Sequence, residues 1–185
     1  MNRITAWKNN IAENTELFEK SFSDLDEKQI NWKADSKNWS IGQVIEHLIK
    51  TSESYFAIPE KINSKDFKPS LLTKFKFAPK LFGKMILKAV DPNTKLKSKT
   101  MGSFTPEMSN VPVDILDKFK ESQKQLLNFI EENKELILNK TVVPSPINRH
   151  ITYHFDTVID ILVNHQRRHF NQAERVMELW SKNES

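Results

Sequence analysis

The spacing of apolar residues in the first third of the chain predicts two helices. Apolar side chains recur every three or four residues from about Ile4 to Phe22, which is the period of one helix face. A second helix is predicted after Ser40, because Ser40 and Gln43 have the spacing of a capping box. Pro59 lacks the amide hydrogen that a helix interior needs, so we expect it to end or kink this helix.

The second half of the chain predicts two more helices. Pro112 suits the first turn of a third helix, because an amide hydrogen at that position would have no partner within the helix. Residues 141–146 then form an extended loop. The fourth helix is predicted to begin near Phe155 or Asp156 and to continue to about Trp180.

A long crossover, residues 60–111, separates the second and third helices. It is too apolar to be disordered, and it contains a predicted short helix from about Lys80 to Ala89. Residues 25–38 connect the first two helices, and no repeat or strand alternation is evident. The pattern predicts the all-α class: one domain over residues 1–185, built as a four-helix bundle with its long crossover between helices 2 and 3.

Composition excludes several kinds of site. The chain has no cysteine, which rules out disulfides, thiolate metal ligands and a cysteine nucleophile. Its three glycines disfavour a glycine-rich phosphate loop. The N-terminus has no apolar signal core, and no apolar run approaches the roughly 20 residues of a membrane span. We therefore expect a cytoplasmic protein.

Positive charge is concentrated in the crossover. Residues 61–100 hold eleven lysines against Asp66 and Asp91, although the whole chain carries only +4. Such a block can attract nucleic acid or anionic lipid. No arginine cluster or aromatic stacking pattern accompanies the lysines, so we favour a solvated insertion over a nucleic-acid site.

Two histidines in the fourth predicted helix are the strongest indication of chemistry. His165 and His169 are four residues apart, and they share the apolar face of this helix with Leu162 and Val176. Buried imidazoles need partners for their polar atoms, and a metal ion would satisfy both rings at once. A pair of hydrogen-bonded core histidines is the alternative.

The other histidines are weaker candidates on spacing alone. His47 lies at the edge of the apolar face of the second helix, where a histidine is often solvated. His150 and His154 are also four apart, but they follow a proline-rich loop and are predicted to lie at or before the start of the fourth helix. The sequence from His165 to His169 also has the zincin spacing, with Gln166 where that motif has its glutamate base, so classical metalloprotease chemistry is not expected.

Two motifs point to a family. The first is a Trp-Ser capped helix that carries a histidine, and the second is His-x-x-x-His followed by a glutamine. They read Asn-Trp-Ser-Ile-Gly-Gln-Val-Ile-Glu-His-Leu at residues 38–48 and His-Gln-Arg-Arg-His-Phe-Asn-Gln at residues 165–172. Over most of its length the chain resembles the DinB-like (DinB/YfiT) superfamily of metal-binding four-helix proteins. The resemblance implies a divalent metal, usually nickel or zinc, bound by His47, His165 and His169.

The resemblance also implies a range of activities. They include transferases that use the thiols bacillithiol or mycothiol, a thiol-dependent isomerase, and hydrolases. We expect a metal-dependent enzyme acting on a small molecule, of thiol transferase or hydrolase type, with a low-molecular-weight thiol as a candidate co-substrate. Gln172 is expected to orient a ligand or a histidine. The rival is a non-enzymatic, metal-stabilised bundle that binds a partner or nucleic acid.

The crossover matches no motif of this family. We expect its aromatic residues to turn inward and cover the metal, because its ten apolar residues need burial. The expected partner is a small molecule rather than nucleic acid or a membrane, and a homodimer is left open. The candidate pocket residues are Phe75, Phe77, Phe82 and Met85.

Overall fold

We describe the fold from a computed structural model that covers residues 2–64, 75, 77–94 and 102–184. Most of the described chain is helical, with two very short strands and one turn of 3-10 helix. The helices are α1 (Arg3–Phe22), α2 (Glu27–Asn31), α3 (Ile41–Phe56), α4 (Ile58–Asn63), α5 (Ala78–Val90), α6 (Ile115–Glu132), α7 (Lys134–Leu138) and α8 (Phe155–Asn183). The 3-10 helix is Gly102–Phe104, and the strands are β1 (Val142–Pro144) and β2 (Thr152–His154).

The four long helices, α1, α3, α6 and α8, form the bundle. Both α1 and α3 pack against α6 and α8, so α8 contacts helices from both halves of the chain. The short helix α5 packs across α8 and β2. The predicted all-α class and helical bundle are confirmed. Among the described residues, every helix is too short or too polar to cross a lipid bilayer.

The predicted start of the second long helix is confirmed in detail. The amide of Gln43 donates to the Ser40 hydroxyl at 3.2 Å, and Gln43 Oε1 accepts from the Ser40 amide at 3.3 Å. This capping box satisfies two backbone donors at the N-terminus of α3. The helix ends at Phe56, and Pro59 lies in the first turn of α4, where its missing amide hydrogen costs nothing.

Two boundaries differ from the predictions. Helix α6 begins at Ile115, because the Ile115 amide donates to the Pro112 carbonyl in a turn that precedes the helix. The predicted loop at residues 141–146 contains β1, which pairs antiparallel with β2, so that Val143 lies opposite Tyr153. Strands of three residues are too short for alternation to be recognised in the sequence.

A reciprocal pair of buried amides links two bundle helices. Gln166 Nε2 donates to Gln123 Oε1 at 2.7 Å, and Gln123 Nε2 donates to Gln166 Oε1 at 3.0 Å. Asn14 of α1 adds a hydrogen bond to the carbonyl of Val163 at 3.1 Å. All three amide side chains are almost fully buried. Their mutual hydrogen bonds satisfy groups that would otherwise be costly to bury.

The end of the crossover packs along α3 and is hydrogen-bonded to neighbouring side chains. A Cβ built on Gly42 would lie 2.8 Å from the Val111 Cβ, so only glycine permits this approach. Side-chain hydrogen bonds also hold the backbone of Met108 and Val111 in this part of the crossover. Gln43 Nε2 donates to the Met108 carbonyl at 2.9 Å, and Asn31 exchanges two hydrogen bonds with the Val111 backbone. We call residues 104–111 the return segment.

Candidate metal centre

Three histidines from two helices converge in the bundle. Nε2 of His165 lies 3.2 Å from Nε2 of His47 and 3.0 Å from Nε2 of His169. The ligand atoms of all three lie within 4.8 Å of one another. Two nitrogens bound to one zinc or nickel ion at about 2.1 Å lie roughly 3.0–3.4 Å apart. The observed separations therefore fit a shared ion.

Hydrogen bonding alone does not satisfy this arrangement. In its plane, an imidazole nitrogen offers either one N–H or one lone pair, so His165 Nε2 serves only one of its two close neighbours well. A cation that accepts three lone pairs satisfies all three nitrogens together. This mismatch favours the metal interpretation over the alternative of hydrogen-bonded core histidines.

His47 is positioned by the return segment. Its Nδ1 lies 2.7 Å from the Phe104 carbonyl oxygen, and because a carbonyl only accepts, Nδ1 carries the proton and donates. The neutral ring then presents the lone pair of Nε2 to the other histidines. His47 is 3% exposed, so it is not the solvated ring that its place at the edge of the apolar face left open. The return segment covers that edge.

All three rings are held in the neutral, metal-binding form. Burial lowers the pKa of His47, although the hydrogen bond to the Phe104 carbonyl opposes the change. Burial, followed by the charges of His169 and His47, lowers the pKa of His165 well below its usual value, even though part of that ring borders a cavity. For His169, burial and then the charge of His47 lower the pKa to about 3. Neutral imidazoles at physiological pH are the form that coordinates a metal.

Gln172 lies beside His169 on α8. Its side chain approaches the ring, and this hydrogen-bonding neighbour opposes the fall in the pKa of His169. His169 Nδ1 is nevertheless buried without a partner at hydrogen-bonding geometry. An orphaned Nδ1 next to an amide is the position from which a glutamine orients a ligand histidine.

Gln166 plays no part in the cluster. One residue after His165, it projects about 100° around α8 and joins Gln123 in the buried amide pair. The zincin-like spacing therefore reflects two histidines on one face and a core amide on another.

A cavity of about 1010 Å³ lies in front of the three histidines. One wall is a row on α3 at four-residue spacing, formed by His47, Thr51 and Tyr55. The indole of Trp39 lines the same cavity and lies 4.9 Å, between ring centroids, from His47. The volume is that of a site for a small organic molecule.

A pair of tyrosines at this cavity was missed by the sequence analysis. The hydroxyls of Tyr55 and Tyr153 lie 2.8 Å apart, and both residues line the cavity. Burial raises the pKa of Tyr153 to about 12 and that of Tyr55 well above its usual range, so both remain protonated at neutral pH. Ser145, which also lines the cavity, is a second hydrogen-bonding neighbour of Tyr153. The spacing of eight residues between His47 and Tyr55 was the available signal.

The crossover contributes a different wall from the one expected. Phe75, Phe77 and Met85 are 54%, 67% and 51% exposed, and Phe82 is half-buried. None of these four residues lines the cavity that the described residues form. Residues one turn further along α5 line it instead, because the close approach at Gly83 brings that part of the helix against β2 and α8. The residues of α5 that line the cavity are Ile86, Ala89 and Val90.

The remaining candidates lie away from the cluster. His150 is exposed, and His154 precedes α8 with its Nδ1 2.9 Å from the Lys140 carbonyl oxygen. Most of the lysine block lies outside the described residues. Lys61, Lys80, Lys84 and Lys88 are described and exposed.

Comparison with known proteins agrees with this geometry. Residues 10–173, which contain all three histidines, match the DinB superfamily. No curated protein and no solved structure matches the chain significantly. The match covers most of the sequence and includes both motifs noted above. On this evidence the chain belongs to the DinB superfamily.

Proposed function

We propose that this protein is a divalent-metal-dependent enzyme acting on a small molecule. His47, His165 and His169 would hold the ion, with nickel or zinc as the leading candidates. The observation that carries the proposal is the convergence of three neutral Nε2 atoms beside a cavity. When bound, the ion would supply Lewis acidity to a water or thiol donor from the cavity.

The protein's own groups fit such a role. The Phe104 carbonyl fixes the tautomer of His47, and Gln172 can do the same for His169. Tyr55, Tyr153 and Ser145 form a hydroxyl group at the cavity wall that would hydrogen-bond to a polar group of the substrate. Three protein ligands leave room for one more donor, as catalytic sites do and closed structural sites do not. This favours an enzyme over a purely metal-stabilised bundle.

Thiol transfer is the reaction class we favour, with hydrolysis second. The preference rests on likeness to the family rather than on a residue, because no carboxylate base lines the cavity within the described part of the chain. A thiol also forms its nucleophilic anion more readily than water does, because its pKa is about 8.5 whereas that of bulk water is about 15.7.

Metal content and thiol consumption test the proposal. Protein purified without an affinity tag should hold about one nickel or zinc ion per chain. It should also consume a thiol with an electrophilic acceptor such as 1-chloro-2,4-dinitrobenzene. His169→Ala should lose both properties, and His150→Ala, at an exposed histidine, should keep them. Thiol consumption unchanged by a chelator and by His169→Ala would contradict the metal-dependent enzyme.

A further inference from the structure

Three cationic side chains line the cavity beside the histidine cluster. One of them, Arg168, is half-buried and donates to the backbone carbonyls of Asp91 and Thr94. Arg175 lies on α8, six residues after His169, and Lys37 lies in the loop that precedes α3. Both are exposed, so they stand at the mouth of the cavity rather than at its floor. Within the described residues no aspartate or glutamate lines this cavity. The described lining of the cavity therefore carries net positive charge.

The loop that carries Lys37 is held against the second half of α8. Trp32 packs edge-on against Trp180, with ring centroids 5.6 Å apart. Trp39 stacks on His169 at 6.1 Å with an interplanar angle of 19°. These two contacts bracket Lys37, and they place it on the side of the cavity to which Arg175 belongs.

Neither Lys37 nor Arg175 forms an ion pair with a carboxylate in the described part of the chain. Asp35, the acid closest to Lys37 in sequence, accepts hydrogen bonds from the Lys37 amide at 2.7 Å and from the Asn38 amide at 3.0 Å. Its role is to shape the loop. Arg175 forms no ion pair with any described acid, whereas Arg167 on the same helix pairs with Glu13. Arg175 is also close enough to His169 for its charge to help lower the pKa of that ring.

We propose that the substrate or co-substrate carries an anionic oxygen group, such as a carboxylate, which Arg175 and Lys37 bind at the cavity mouth. Six residues of helix separate His169 and Arg175 along α8, a rise of about 9 Å. The ligand is therefore a molecule whose reacting atom and anionic group are separated by several bonds. Arginine suits the anionic end, because its guanidinium offers paired donors to a carboxylate. This inference rests on the proposed metal site.

The anion site is tested with two thiols that differ only in the group at the end of the chain remote from the sulfur. 6-Mercaptohexanoate and 6-mercaptohexanol have the same chain, and the carboxylate is too remote from the sulfur to chelate the same ion. Binding to the nickel-loaded protein is followed by thiolate-to-nickel charge-transfer absorption, which needs no turnover. The carboxylate thiol should bind roughly five- to tenfold more tightly at low salt, and added salt should reduce its advantage.

The variants separate a local effect from a change in net charge. Arg175→Gln and Lys37→Gln should each remove most of the advantage of the carboxylate and leave mercaptohexanol binding unchanged. Lys182→Gln, at an exposed position two turns further along α8, is the charge-matched control and should bind both thiols as the parent protein does. Equal affinity for the two thiols would overturn the anion site. Loss of the carboxylate's advantage in Lys182→Gln as well would also overturn it. Neither result would contradict the proposed metal site. Absence of an absorption band with either thiol would refute the proposed function, and the inference with it.

Discussion

His47 donates through Nδ1 to the Phe104 carbonyl at 2.7 Å. A residue of the bundle thus takes its orientation from the backbone of the crossover. Two turns of α3 hold the rest of the same segment, through Gly42, Gln43 and Glu46. The histidine cluster therefore depends on the return segment as well as on the helices that carry the histidines.

Metal should stabilise the native protein. An ion that binds only the folded chain adds about 2.7 kcal/mol at a hundredfold excess over Kd. Nickel or zinc should raise the melting temperature in differential scanning calorimetry, and a chelator should reverse the rise. His169→Ala should abolish the response, whereas His150→Ala should retain it. A response that survives in His169→Ala would place the metal elsewhere.

Gly42→Ala should weaken both the fold and the metal site. The added Cβ would lie 2.8 Å from the Val111 Cβ, so the return segment must shift. Overpacking of this kind costs roughly 1–3 kcal/mol, which urea unfolding will measure. Metal affinity should fall as well, because the Phe104 carbonyl moves with the segment. Gly102→Ala is the control, since a Cβ there meets nothing within 4 Å.

The metal-free protein should lose stability as pH falls. Burial lowers the pKa of His169 to about 3, while the unfolded chain binds that proton near 6.5. The stabilising contribution is therefore complete above about pH 6.5 and is lost progressively towards pH 3, by about 1.4 kcal/mol per unit for this residue. Urea titrations in chelator from pH 7.5 to 5 will measure the slope. His169→Asn should reduce it, and an unchanged slope would contradict the assignment of His169 as a buried neutral ring.

Gln166→Glu should not create a metalloprotease, although it completes the His-Glu-x-x-His spacing. The new carboxylate would face Gln123 in the buried amide pair rather than the cavity. We expect a loss of roughly 2–3 kcal/mol at neutral pH, since burial disfavours the charged form, and a smaller loss in acid. Gln172→Glu, at a half-buried position, should be tolerated better. Measurable peptidase activity in Gln166→Glu would show that residue 166 reaches the cavity.

The parts of the fold that local chemistry determines could be predicted from the sequence. The capping box at Ser40 marked the start of α3, and apolar periodicity marked the faces of α1 and α8. The pairing of His165 with His169 followed from their shared face. Family motifs added His47, which the structure brings to the other two.

Features that depend on a distant segment could not be predicted. The helical wheel left His47 at an edge because it cannot represent the return segment that covers this edge. It also cannot say which turn of α5 reaches the cavity, and Phe82 and Met85 were predicted instead of Ile86 and Ala89, each four residues further along the helix. Tyr153 reaches the cavity through a strand of three residues that has no sequence signature.

The reciprocal amide pair has a consequence for how α8 is seated. Hydrophobic contacts alone tolerate small rotations of a helix about its axis, because apolar side chains of similar size replace one another at low cost. A pair of amides that exchange both hydrogen bonds tolerates almost none. His165 is the residue before Gln166, so the bond to Gln123 also fixes the angle at which His165 meets its partners. The buried amide pair in the core thereby helps to set the orientation of the histidine cluster on the adjacent face of α8.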